Sequence, residues 1–240
     1  MNTPSFQVLY ADEHLAIVAK APNLICHHSK YARNIIETSL AQLLKAHFER
    51  DIHLVNRLDR KTSGIVVVGF NPEITSKLQG LNEQFRWRKT YLALVRGWPD
   101  KKITINSPIK NDESGKYQTA LTHLKLLSSV TYEKAVIPYP TSRYSLVSLV
   151  PKTGRTHQLR KHMNKIAHPI IGDPKHGNRH HNHAFQDWFN NSHLFLHAQQ
   201  ISFEHPETNE MIEVEAPVPA FWPEIFAQLG FKWSFDNSQK

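Results

Sequence analysis

The sequence predicts an α+β fold, a mostly antiparallel sheet flanked by helices. Three observations predict it. Short apolar runs of strand length recur along the 240 residues. Between them lie longer stretches whose apolar residues repeat at helical spacing. The first two strand-like runs flank only Ala11-Asp12-Glu13-His14, the spacing of a hairpin.

Taken in order, residues 6–10 and 15–19 form that hairpin. Residues 34–49 read as a helix, with Ile36, Leu40, Leu43, Leu44 and Phe48 on one side. Residues 64–70 are a buried strand. Pro72 suits the first position of a helix running to about 81. Residues 91–95 are a strand. From 119 to 126, Thr119, Leu121, His123 and Lys125 alternate with Ala120, Thr122, Leu124 and Leu126, another strand pattern. Residues 144–150 are a strand closed by Pro151. Thr156 is a candidate cap for a helix to 166 that buries Leu159, Met163 and Ile166. Residues 194–203 form a late strand. Residues 220–229 form a last amphipathic helix through Phe221, Ile225 and Leu229, and 236–240 are expected to fray.

Composition bounds the function. Lys and Arg number 29 and Asp and Glu 21, a formal charge of +8 with a pI near 9.5. A basic surface suits a polyanion, nucleic acid first. The cations cluster: Arg86-Trp87-Arg88-Lys89 sets an aromatic among three of them, and neither 152–165 nor 175–183 contains an acid. Lys and Arg contacts to phosphate give affinity and salt dependence rather than sequence choice. A single cysteine, Cys26, excludes an intrachain disulfide and suits a reducing cytoplasm. The N-terminus shows no basic region followed by an apolar stretch, and no run of about 18 apolar residues exists, so neither a signal peptide nor a membrane partner is expected. One domain over 1–240 is expected, as a monomer.

The most informative stretch is Asn56-Arg57-Leu58-Asp59-Arg60-Lys61-Thr62-Ser63-Gly64, followed by Ile65-Val66-Val67-Val68. It is a polar loop feeding a buried strand. Asp59 lies among arginines, and nearby positive charge favours the ionised carboxylate. An ionised carboxylate is ready to act as a nucleophile or an electrostatic stabiliser. The plain alternative is a surface loop whose Asp–Arg pairs contribute little. The histidines of 176–183 (His176, His180, His181, His183) lack a pair and a carboxylate at metal-ligand spacing. With Asn178 and Asn182 among them, they read as a flexible polar loop and not as a metal site.

Residues 56–64 resemble the signature loop of the RluA family of pseudouridine synthases, His-Arg-Leu-Asp-x-x-Thr-Ser-Gly, with Asn56 in place of His. The resemblance continues through Lys89-Thr90-Tyr91, through Thr153-Gly154-Arg155-Thr156-His157-Gln158-Leu159-Arg160, and through His168-Pro169-Ile170-Ile171-Gly172-Asp173. Lys20-Ala21-Pro22 stands where the family often has Lys-Pro. The motifs span roughly residues 6–205, and several in order are far more specific than one. No S4-type module of the kind some relatives carry is expected.

The resemblance implies a pseudouridine synthase fold with an active-site cleft, and a reaction that needs neither cofactor nor metal. It implies that Asp59 is the catalytic carboxylate, attacking either the sugar or the uracil ring. Tyr91 would lie against the flipped base and assist proton removal from its C5. Arg160 would pair with the catalytic Asp. Arg57 would fill the space the uridine vacates or hold the rearranged strand, because enzymes acting on stacked bases take them out of the helix. Arg60 and, from their clustering, Arg86, Arg88, Lys89, Lys152, Lys161 and Lys175 are expected to contact RNA phosphates, and Arg155 is expected to be a phosphate contact or a loop anchor. The segments 141–144, 151–155 and 169–177 look most like the tRNA-directed branch, which modifies uridine 65 in the T stem. A ribosomal-RNA or dual-substrate enzyme is the rival within the family. A glycosidic hydrolase and a catalytically silent RNA-binding protein are the rivals outside it.

Overall fold

The computed structural model describes residues 5–28, 37–84 and 86–233. Its elements are β1 (Phe6–Ala11), β2 (Leu15–Lys20), α1 (Leu40–Phe48), β3 (His53–Leu54), β4 (Ser63–Gly69), α2 (Pro72–Glu83), β5 (Arg88–Arg96), β6 (Lys102–Asn106), β7 (Ile109–Lys110), β8 (Tyr117–Gln118), β9 (Leu121–Tyr132), β10 (Ser142–Pro151), α3 (Gln158–Lys165), α4 (Arg179–Phe189), β11 (Leu196–Glu204), β12 (Met211–Glu215) and α5 (Phe221–Leu229). The chain divides into two compact units. The first holds Met1–Lys89 and Ala198–Pro217, the second Thr90–His197 and Val218–Lys240.

In the first unit β1 and β2 form the expected hairpin, with Phe6 opposite Lys20. Asp12 shapes its turn, because Oδ1 accepts the backbone N–H groups of His14 and Leu15. β2 pairs antiparallel with β4, placing Lys20 opposite Gly64. All seven residues of β4 are buried, hence its unbroken apolar run. β12 returns antiparallel along β11. Asn71 caps α2 by accepting the Ile74 N–H at 2.9 Å, and Pro72 follows where no backbone donor is needed.

The helix expected over 34–49 begins only at Leu40. Ser39 and Gln42 form a capping box, each side chain satisfying the other's backbone N–H, and this fixes the start. Glu37 to Ser39 are not helical; 34–36, including Ile36, lie outside the described residues.

In the second unit β5, β10, β9 and β6 pair antiparallel in that order, with Tyr91 opposite Leu149, Leu149 opposite Leu124, and Leu124 opposite Ile103. Alternation along β5 divides the core. Leu92 and Leu94 join Tyr144, Phe185, Phe195, Trp222 and Phe226, so α4 and α5 cover that face. Ala93 and Val95 join Val147, Leu149, Leu159 and Met163, so α3 covers the other. Each large apolar side chain buried this way contributes about 1.5–3 kcal/mol.

Three further expectations are corrected here. Thr156 does not cap α3; it is exposed, and His157 takes the cap position in the left-handed conformation with no side-chain capping bond. Ile166 and Phe221 are only partly buried, while Trp222 and Phe226 carry the inner face of α5. The stretch 176–183 is not a loop throughout: α4 begins at Arg179, because the Asn178 side chain accepts the N–H groups of His180 and His181. The fraying expected at 236–240 falls outside the described residues. Among the described residues no helix is long and apolar enough to cross a membrane.

Candidate active site

The Asp59 loop leaves β3 and enters β4 under several restraints, all within the first unit. The backbone ladder ends with the Val55 N–H on the Val67 carbonyl at 2.9 Å. The Asn56 side chain then continues it. Its Oδ1 accepts the Val67 N–H at 2.7 Å and its Nδ2 donates to the Ile65 carbonyl at 3.4 Å. The carboxamide thus acts as one more peptide group facing β4. The next anchor is Cys26, whose Sγ receives the Leu58 N–H at 3.5 Å and donates to the Leu58 carbonyl at 3.4 Å. Burial raises the Cys26 pKa, which keeps the proton this donation needs.

Lys20 fixes the far side of the loop. It is 2% exposed, and its ammonium donates to the carbonyls of Ala21, Leu24 and Arg60 at 2.9, 2.9 and 3.1 Å. Burial lowers its pKa to about 8, with the charge of Asp59 opposing the shift. Asp59 is half-buried, and its carbonyl accepts the Thr62 N–H at 3.0 Å to close a turn. Gly64 is then obligatory. Its φ is +107°, and a Cβ there would lie 2.2 Å from the Ala198 carbonyl oxygen.

The second unit carries Tyr91 and Arg160. Tyr91 is half-buried on β5, packed against the cluster under α3. The Thr153–Arg155 turn is closed by one carboxamide: Gln158 Oε1 accepts from Thr153 Oγ1 (2.6 Å) and from the Arg155 N–H (3.1 Å), and Nε2 donates to the Leu121 carbonyl and Thr122 Oγ1 (3.0 Å each). Two turns of chemistry follow on α3. Arg160, 5% exposed, donates from Nε and Nη2 to Asp173 Oδ2 and Oδ1 at 2.6 and 2.8 Å. Burial alone would raise the Asp173 pKa, but the guanidinium and the N–H groups of His176 and Lys175 hold it below the usual carboxylate range.

Set beside known proteins, the chain matches the family described as RNA pseudouridylate synthase over residues 14–165. This chain belongs to the RNA pseudouridylate synthase family. Among the synthase's relatives is a tRNA pseudouridine synthase C of Vibrio parahaemolyticus, 33% identical across 97% of this chain and 98% of that one. The protein of the same name from Haemophilus ducreyi is 35% identical across 96% and 97%. Among solved structures, human RNA pseudouridylate synthase domain containing 1 superposes with a TM-score of 0.72 at 26% identity, over 95% of this chain and 90% of that chain.

The cations of the synthase fall into two groups. Arg57, Arg88 and Lys152 are exposed and make no side-chain hydrogen bond or ion pair among the described residues. The others have protein partners. Arg60 holds both Glu37 oxygens at 2.8 Å and the Asn23 carbonyl at 3.0 Å. Arg86 pairs with Glu204, Lys89 with Asn82, and Arg155 with the Thr119 carbonyl. Lys161 and Lys175 share Asp112 at 2.7 and 2.6 Å, and their hydrogen bonds hold its carboxyl well below the usual range. Trp87, set among cations in sequence, is buried and stacks on Phe203 with ring centroids 4.8 Å apart. The histidines also disperse: His181 Nδ1 meets the Tyr144 hydroxyl at 2.9 Å and His176 Nε2 meets His157 Nδ1 at 3.1 Å. Sequence reasoning placed Lys20, Gln158 and Asp173 within motifs and counted Cys26 as the single thiol, but gave none of them a part in holding the site. The signal that could have found three of them is their place in those motifs; Cys26 has none.

Proposed function

We propose that this pseudouridine synthase isomerises uridine 65 in the T stem of tRNA. The observation that carries the reading is near full-length similarity, at 33–35% identity, to relatives named tRNA pseudouridine synthase C. The Asp59 loop, held from four directions by Asn56, Cys26, Lys20 and Gly64, supports it. A nucleophile must be presented in one geometry, and a rigid loop does that.

In the proposed reaction the target uridine leaves its stem, at a cost of roughly a few kcal/mol. Arg57, exposed two residues before Asp59, takes up the rearranged strand. Asp59 attacks the flipped nucleotide, the C1′–N1 bond breaks, the uracil turns and C1′–C5 forms. The proton leaves C5 with Tyr91 beside the ring, and N1 ends protonated. Arg160 stabilises the carboxylate. No electrons are gained or lost, so the balance calls for no redox partner. The whole chain serves as one catalytic domain and acts as a monomer in the cytoplasm. Arg88 and Lys152, both exposed, are the phosphate contacts most open to RNA; Arg60, Arg86, Lys89, Arg155, Lys161 and Lys175 would exchange protein partners for phosphate.

The test is tritium release from C5-labelled uridine in unmodified tRNA transcripts, with ribosomal RNA fragments alongside. Wild type releases tritium from tRNA and yields no free uracil. Asp59→Asn releases none and binds tRNA within about tenfold of wild type, which is roughly 1.4 kcal/mol. Preferred turnover of ribosomal RNA would overturn the tRNA assignment, and turnover by Asp59→Asn would overturn the nucleophile.

A further inference from the structure

We infer that Asp173 is the positioning residue for Arg160, and that Asn182 of α4 holds Asp173 in place; the inference rests on the synthase reading above. Four donors converge on the Asp173 carboxylate. Two come from Arg160, and two are the N–H groups of Lys175 and His176, each at 2.9 Å from Oδ1. Both oxygens are therefore fixed, and the planar fork of Arg160 has one orientation that satisfies both bonds. The two side chains are 6% and 1% exposed. A buried ion pair stabilises little over an apolar pair of similar volume. Its presence beside a motif that ends in Arg160 therefore calls for a reason other than stability, and orientation is that reason.

The loop around Asp173 is built to keep it there. Gly172 has φ +77°, and a Cβ at that position would lie 1.9 Å from the His193 carbonyl oxygen. Asn182 bridges the loop: its Oδ1 accepts the Gly172 N–H at 2.8 Å and its Nδ2 donates to the Asp173 carbonyl at 2.9 Å. From the other side, α3 and its cap hold the same loop at spacings of three and four residues. His157 meets His176, Arg160 meets Asp173, and Asn164 Nδ2 donates to the His176 carbonyl at 2.8 Å. Asn182 thus steadies an acid that steadies a guanidinium.

Single-turnover tritium release and tRNA affinity, measured separately, test this. Asp173→Asn keeps the size and one acceptor but loses the charge. Because misplacement by about 1 Å can cost 10²-fold, its rate is expected to fall about 100-fold with Kd changed less than about threefold. Asn182→Ala, which removes contacts to the loop backbone and leaves both side chains of the ion pair in place, is expected to lose rate by about tenfold with Kd again held, roughly 1.4 kcal/mol of activation free energy. It carries the test if Asp173→Asn does not fold. Formate added to Asp173→Ala is expected to restore part of the rate, which a purely structural loss would not allow. Full activity in folded Asp173→Asn or Asn182→Ala, or equal losses of rate and affinity, overturns the inference while leaving the synthase reading intact. A wild type that turns over no RNA overturns the reading itself.

Discussion

Asn56 stands where the resembling family usually has His, and its side chain shows what the position does in this chain. It extends a two-residue strand by imitating a peptide group, one acceptor and one donor on a single carbon. A proton-transfer role is not needed to account for it. Asn56→Ala leaves the Val67 N–H without that acceptor, and the expected loss is about 1–3 kcal/mol, measured as a shift of the urea midpoint at constant slope. Gly64→Ala is expected to be worse. The added methyl would overlap the Ala198 backbone in a conformation L-residues rarely adopt, so this protein should not accumulate in folded form. The loop itself was legible in the sequence, because its charged residues and Thr-Ser-Gly tail are contiguous. The atoms that hold it were not, because Cys26 and Lys20 lie some thirty to forty positions away and nothing in the sequence ties either to this loop.

Among the elements, the main strands follow the sequence closely. β4 is buried on both faces and reads as an unbroken apolar run, while β5 alternates between two clusters of similar character. Short elements were illegible for the opposite reason: β7 and β8 have two residues each, too few for any period. Helix α4 is the instructive error. Its first turns are rich in His and Asn, poor intrinsic helix formers, so local composition predicts a loop. Tertiary burial of His181 and Phe185 and the Asn178 cap override that preference. Asn178→Ala is expected to cost about 1 kcal/mol, with a range of 0.5–2, read from thermal or urea unfolding. If α4 were held by packing alone, that substitution would leave the midpoint unchanged.

For the whole molecule, basic composition correctly pointed to nucleic acid, but it overstated how many cations stand ready for phosphate, since several meet protein partners. Its histidines give stability a definite pH dependence. Burial pushes both His176 and His181 down to about 4 from an ordinary value near 6.5. Between those limits the unfolded chain binds more protons than the folded one, so stability falls as pH drops from 6.5 towards 4. Asp173, held below the usual carboxylate range, adds loss in the same direction at still lower pH. Melting temperature against pH should therefore decline through this window, and His181→Phe should flatten part of the slope. The chain also has just one thiol, and it lies 5% exposed against the backbone of the segment that presents Asp59. Any reagent that modifies Cys26 must wait for that segment to lift. The protein thus contains its own stopwatch: the rate of thiol labelling reports how often the loop opens, residue by residue unperturbed, and bound tRNA is expected to slow it.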